Sequence, residues 1–398
     1  MRPARGVAAA DLVDAFAVTA PGLEPLCAAE LRALGTAPAA QLGGVSWRGT
    51  LESVARANLW SRIASRVVVR LAQFRATSFF ELERHARRIA WTRYVAPQTV
   101  VEFRVTCRKS RLYHSDAVAQ RFAESVQRVV SSVQRAQRRR NDDADHSAET
   151  AVFSADERDE RRQLFLVRLD HDRCTVSADT SGALLYLRGY RQQLAKAPLR
   201  ETLAAAVLAG ARWTGDSPLV DPMCGSGTIA IEAARLARRI APGRDRPFAF
   251  LSWPEHDIGR WVELVSEARA GELARSAVSI EAYDRDDGAI AATRANAERA
   301  GVADDLEIAV QPLSALLPNA GSGLIAINPP YGIRVGETER LRNLYSQIGN
   351  IRRAKRPAWR LAMLAADVRL AGHTEPAMQE RFRTVNGGIP VRLLADAD

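Results

Sequence analysis

The feature that most constrains the fold is a change of rhythm at Ser217. From there, short apolar runs alternate with segments of helical period: "PLVD" then a helix from Thr228, "SIEAYD" then a helix to Ala300, "LEIAV", "LIAIN" then a helix around Leu341 to Ile351, and "WRLAMLAA". Apolar strands separated by helices need cover on both faces, which predicts an α/β fold with a mostly parallel sheet. The last segment, "FRTVNGGIPVRLL", is two apolar strands about an Asn-Gly-Gly turn and predicts a closing antiparallel hairpin. In such sheets ligands bind beyond the carboxyl ends of the strands.

Three of those strand ends carry unusual residues. In "DPMCGSGTIAIEAARLARR", Asp221 ends a strand, Gly225-Ser226-Gly227 makes a tight loop, and a helix follows. Glycines let backbone N–H groups approach a ligand, and a helix N-terminus favours an anionic group. No Lys-Ser/Thr follows the glycines and no third glycine completes GxGxxG, so neither a P-loop nor the dinucleotide fingerprint is present. Cys224 has no base placed beside it and is not expected to be a nucleophile.

In "SIEAYDRDDG", Asp284 ends the second strand, where a carboxylate can accept both hydroxyls of a ribose, and Asp286 or Asp287 is placed to cap the next helix. In "LIAINPPYGIRVG", Asn328 follows the fourth strand. Pro329 and Pro330 fix the backbone and leave its carbonyls rigid, and Tyr331 adds an aromatic face. An acceptor, a fixed carbonyl and a ring suit the exocyclic amine of a flipped base. Asn328 Oδ1 and the Pro329 carbonyl would take its two N–H bonds while Tyr331 stacks. Chemistry at a pyrimidine C5 would need a cysteine here, and none is present. These motifs alone leave adenine-N6, guanine-N2 and cytosine-N4 open.

The 398 residues, 47% hydrophobic, are enough for two or three packed domains. A net charge of +10 suits a phosphate-rich partner, although an anionic membrane surface would also satisfy it. The four cysteines form no metal-ligand spacing, so neither a zinc site nor a disulfide framework is expected, and no metal is assigned. Asp11 and Asp14 interrupt any leader-like apolar core, and no run is long enough to cross a bilayer. A monomer in a reducing cytoplasm, with no membrane partner, is the expectation.

Before Ser217 the chain reads as mixed α+β. "DAFAVTAPGLEPLCAAELRALG" is strand, turn and a helix closed by Gly35, "TVVEFRVTCRK" alternates like a half-buried strand, and the charged stretch 138–162 reads as an exposed loop or disordered insertion. Trp253 and Trp261, in the long crossover before "SIEAYD", read as core.

The loop at Gly225 closely resembles the S-adenosylmethionine loop of class I methyltransferases, whose outline is also an α/β sheet ending in an antiparallel hairpin. The resemblance implies that cofactor, with the Gly225–Gly227 backbone facing its methionine part and Asp221 holding its amino group. Met223, Ser226, Thr228, Asp284, Asp286 and Asn328 would complete the cofactor site. A departure follows the third strand: where many such enzymes carry an Asp for the adenine amine, this chain has Pro312, Leu313 and Ser314, so the adenine contact is unassigned.

"VTAPGLEPLCAAELRALG", "GGVSWRG", "ANLWSRIASRVVVRLAQF", "CRKSRLYHSDAVAQR" and "DTSGALLYLRGYRQQLAKAPLRETLAAA" resemble the THUMP-containing RNA guanine-N2 methyltransferases, most closely the group acting on large-subunit ribosomal RNA, with a related branch acting on tRNA. That resemblance implies a ferredoxin-like region over 12–75, a THUMP RNA-binding region over 76–182 and a methyltransferase domain over 190–398. It also implies Glu201 and Thr202 on the cofactor side, and Arg104, Arg108, Lys109, Arg111 and His114 as candidate contacts to structured RNA. The competing readings are a DNA adenine-N6 methyltransferase and an RNA-binding protein without catalysis.

Overall fold

A computed structural model describes residues 12–142, 162–192, 199–331, 338–374 and 378–396. The first half contains β1 (Val13–Val18), α1 (Glu24–Ala33), β2 (Ala39–Gln41), β3 (Gly44–Gly49), α2 (Leu51–Trp60), β4 (Arg66–Arg75), α3 (Phe79–Ala86), β5 (Val100–Arg108), α4 (Ser115–Asp142), β6 (Arg162–Asp170) and β7 (Arg173–Asp179). The second contains α5 (Glu201–Gly210), β8 (Leu219–Asp221), α6 (Thr228–Ala237), α7 (Ile258–Ala270), β9 (Ile280–Asp284), α8 (Asp287–Ala300), β10 (Leu306–Val310), β11 (Gly323–Ile327), α9 (Thr338–Lys355), β12 (Trp359–Ala365), α10 (Val368–Ala371), β13 (Gln379–Asn386) and β14 (Ile389–Ala395).

Each half is built on a seven-stranded sheet. The C-terminal one runs β10-β9-β8-β11-β12-β14-β13. Its first five strands are parallel, and β14 pairs antiparallel with β12 and β13. This is the class I methyltransferase arrangement, and every strand and the hairpin fall where the hydrophobic pattern placed them. All residues of β8 and β11 are buried, which is why those runs show no polar alternation.

The N-terminal sheet runs β2-β3-β1-β4-β7-β6-β5 and is antiparallel except for the β5–β6 pair. Pairing of β4 with β7 joins the regions 12–75 and 76–182 in one continuous sheet. Local signals account for the ends of its helices. Thr50 and Ser78 accept the N–H of Ser53 and Glu81 as N-caps of α2 and α3, and Gly35 at φ +84° follows the C-terminus of α1.

The stretch 138–162 departs from the expectation at both ends. α4 continues to Asp142, because the Gln- and Arg-rich run before it favours helix, and β6 begins at Arg162, paired with Val100 of β5. The part between, 143–161, lies outside the described residues.

The two halves share one hydrophobic core. Trp253 is buried and its indole N–H donates to Gln163 Oε1 at 2.6 Å, and Trp261 packs against the same core, so both crossover tryptophans are core residues. Arg188 donates to Glu232 at 2.9 Å and to the Arg62 carbonyl at 2.7 Å, while Arg260 from α7 pairs with Glu52 of α2 at 2.9 Å. The four cysteines are free. Among the described residues no helix is long and apolar enough to cross a membrane, and no cluster of His, Cys, Asp or Glu could hold a metal ion.

Candidate active site

β8 pairs with β9 on one side and β11 on the other, so the order of the sheet reverses there, and the loops after these strands open into one crevice. Asp221, Asp284 and Asn328 stand at or just beyond the ends of those three strands.

The loop after β8 is held from behind. The Gly227 N–H donates to the Cys224 carbonyl at 2.8 Å, and the Cys224 N–H donates to the Tyr283 carbonyl at 2.9 Å. On α8, one turn apart, Thr293 Oγ1 donates to the Gly225 carbonyl at 2.8 Å and Asn296 Nδ2 to the Ser226 carbonyl at 3.0 Å. Gly227 has φ +82°, and a Cβ there would lie 2.6 Å from Thr293 Cγ2, so both conformation and space demand glycine. Thr293 and Asn296 were missed in reading the sequence. Their signal is two polar residues at i and i+3 on a helix face that is otherwise buried.

Asp221 is 1% exposed and accepts the Met223 N–H at 3.3 Å. Burial, with the negative Asp284 as a second influence, pushes its carboxyl up to about 8. Among the described residues no Lys, Arg or His stands within ion-pair distance of it, so the site carries a buried carboxyl group without a cation. Cys224 is buried, its Sγ 3.6 Å from Thr293 Oγ1, and burial raises its thiol well above the usual range, which removes it as a nucleophile.

Asp284 is oriented by two backbone donors: Oδ2 accepts the Gly225 N–H at 2.9 Å and Oδ1 the Asp286 N–H at 3.0 Å. Each oxygen keeps a lone pair for a further donor. Asp286 is the N-cap of α8, its Oδ1 accepting the Ala289 N–H at 2.9 Å. Glu201 opens α5 at 1% exposure; Oε1 accepts from Arg191 at 3.1 Å, while Oε2 is buried without a hydrogen-bond partner. Thr202 beside it is also buried. After β10, Leu313–Ala315 forms a 3₁₀ turn, and Lys355 Nζ donates to the Ser314 carbonyl at 2.8 Å.

Asn328 sits just past the fully buried β11. Its Oδ1 accepts the Tyr331 hydroxyl at 2.6 Å, and that hydroxyl accepts from Asn386 Nδ2 at 3.0 Å. Burial pushes the Tyr331 phenol up to about 12, so it is a neutral donor near pH 7. Pro329 is buried and Pro330 exposed. Asn386 also escaped the sequence reading, which took Asn-Gly-Gly only as a turn. The period-two pattern places it on the same buried face as Phe382 and Thr384.

The RNA candidates lie at the far edge of the other sheet. Arg104 and Arg108 project from the exposed face of edge strand β5, and Lys109, Arg111 and His114 follow on exposed backbone. The Arg111 N–H donates to Asp172 at 2.7 Å, and Tyr113, 68% exposed, lies with its ring 4.1 Å from that of His114. Arg168 of β6, opposite Thr106, extends the same basic face.

Residues 188–394 match the UPF0020 family (RMKL-like, methyltransferase domain), and residues 14–68 match the RlmL ferredoxin-like domain. The ribosomal RNA large subunit methyltransferase K/L of Syntrophotalea carbinolica is 36% identical over 95% of this chain and 53% of its own length. A candidate RNA methyltransferase of Synechocystis is 32% identical over 95% of both chains. The chain thus spans about half the length of the K/L relative and nearly all of the Synechocystis one. A solved candidate methyltransferase complexed with SAH shares 27% identity and a TM-score of 0.85 over 97% of this chain and 98% of its own. With the catalytic-half match covering more than half its length, the chain belongs to the UPF0020 family of RMKL-like methyltransferase domains.

Proposed function

We propose that this protein transfers a methyl group from S-adenosylmethionine to the exocyclic N2 amine of a guanosine in structured RNA, within large-subunit ribosomal RNA. The observation that carries the reading is Asn328: a hydrogen-bonded amide acceptor at the end of β11, followed by two prolines, directly across the switch point from the glycine loop.

The residues present fit the cofactor. Asp221 is a buried carboxyl without a cation among the described residues, which an ammonium group answers, and Gly227, left-handed at φ +82°, keeps the loop packed against Thr293. Asp284 has lone pairs for the ribose hydroxyls, and the orphaned Glu201 Oε2 is open to a donor. Asp221, Met223, Gly225, Ser226, Gly227, Thr228, Asp284, Asp286, Glu201 and Thr202 form the proposed cofactor site, with Asn328, Pro329, Pro330 and Tyr331 for the base. When bound, S-adenosylmethionine supplies the electrophilic methyl. Asn328 Oδ1 and the Pro329 carbonyl orient the amine by accepting its N–H groups, and the Tyr331 ring bounds the base.

The N-terminal half, with its ferredoxin-like and THUMP regions, supplies RNA contacts through Arg104, Arg108, Lys109, Arg111 and His114, so affinity is electrostatic and RNA shape selects the target. The expected assembly is a monomer acting in the cytoplasm. Incubation of the protein with labelled S-adenosylmethionine and either total RNA or DNA, followed by digestion to nucleosides, tests the reading. Label in N2-methylguanosine of ribosomal RNA is expected. Label confined to transfer RNA moves the substrate, and label in N6-methyladenine of DNA, or none, overturns the reading.

A further inference from the structure

Asn386 has no turn to explain it. The hairpin between β13 and β14 takes its left-handed conformations at Gly387 (φ +57°) and Gly388 (φ +88°), whereas the Asn386 backbone stays in the ladder opposite Ile389. Its side chain is 8% exposed and donates through Nδ2 to the Tyr331 hydroxyl at 3.0 Å. A buried amide retained where an apolar residue would satisfy the strand has to be explained by its contact.

We propose that Asn386 is a positioning residue for methyl transfer: by donating to the Tyr331 hydroxyl, it fixes which end of the Asn328 amide faces the substrate amine. The inference rests on the amine-methylating reading of the site. A tyrosine hydroxyl has one proton and an amide has two ends of similar size. With Asn386 donating to one lone pair of the hydroxyl oxygen, the phenol proton is directed at Asn328, whose carbonyl oxygen accepts it at 2.6 Å. Oδ1 is held in place with a second lone pair for the amine. Without Asn386 the hydroxyl can instead accept from Asn328 Nδ2; the amide turns over and offers a donor to an amine that needs an acceptor. In this role Asn386 acts through Tyr331 rather than on the reacting groups themselves.

A double-mutant cycle on the full chain tests this. Asn386→Ala is expected to lower kcat by about threefold to tenfold, with KM for RNA and the affinity for S-adenosylhomocysteine unchanged. Tyr331→Phe removes the relay, and adding Asn386→Ala to it is expected to cost nothing further. An equal loss in both backgrounds, or full activity of the single variant, overturns the proposal. Asn386→Ser serves the same cycle if the alanine variant fails to fold. Selective ¹³C labelling of tyrosine reads the contact without activity: the Tyr331 ring carbon bearing the hydroxyl is expected to shift in Asn386→Ala, and an unchanged resonance contradicts the contact. If the wild-type protein methylates neither RNA nor DNA, the functional reading fails, while the tyrosine resonance still decides whether the relay exists.

Discussion

The strands β8, β9, β11 and β12 are buried along nearly their whole length, whereas β5 alternates between half-buried and exposed residues from end to end. The first group leaves no open face: the buried Glu281 within β9 is answered by Arg356, and the polar residues of the candidate site, Asp221, Asp284 and Asn328, stand where the strands stop, each tied to neighbouring groups. In β5 the cations Arg104 and Arg108 stand on the open face and form no ion pair with a described residue. Groups that orient a reacting atom need fixed geometry, while groups that meet phosphates need charge and reach. On the proposed function, chemistry follows the buried sheet and nucleic-acid contact the open one.

The comparison breaks most visibly at Asn328. Asn328→Ala is expected to lower turnover by about 10²–10³-fold, the usual cost of removing one preorganised polar group from an active site, while RNA retention on a filter stays nearly intact. Equal loss of both would place Asn328 in RNA binding.

Asp221 gives the next largest effect. Burial pushes its folded-state carboxyl up to about 8 from an ordinary 3.8. The unfolded chain therefore releases this proton first, and its contribution to stability is present below about pH 4 and lost as pH rises through about 8. An ammonium group selects the ionised carboxylate, so affinity for S-adenosylhomocysteine is expected to rise by about tenfold per pH unit between about pH 6 and about pH 7.5, where the ligand's amino group keeps its proton. Titration calorimetry should find weaker binding without that slope in Asp221→Asn; a slope that survives the substitution assigns it elsewhere.

Gly227→Ala probes the loop rather than its charges. The left-handed backbone and the close approach to Thr293 Cγ2 together are expected to cost about 1–3 kcal/mol in chemical denaturation. Much of that should be recovered in a Thr293→Ala background, where the clash is relieved and only the backbone strain remains.

The smallest effect per residue is expected on the open sheet. Arg104→Ala with Arg108→Ala should reduce the salt slope of RNA binding by about 2, one phosphate contact each, and leave kcat unchanged. A changed kcat with an unchanged slope would put these arginines in the wrong half of the comparison.

What the chain discloses in its sequence follows the same division. The glycine loop, Asp284 and Asn328 were legible because a polar residue or a glycine turn that ends an apolar run adds nothing to the core it interrupts. The groups that hold them were not. Thr293, Asn296 and Asn386 are single polar residues within regular elements, and their meaning depends on which loop packs against them in three dimensions. The single N-terminal sheet was hidden for a related reason: β4 meets β7 across about a hundred residues of chain, and alternation within a strand says nothing about its partner.

The most direct test of the account is the modification map of cellular RNA from a strain lacking this gene, complemented with either the wild-type chain or Asn328→Ala. The account predicts that one guanosine of large-subunit ribosomal RNA loses its N2-methyl group on deletion, regains it with the wild type and does not regain it with Asn328→Ala. N2-methylguanosine unchanged on deletion, or restored equally by both chains, would contradict it.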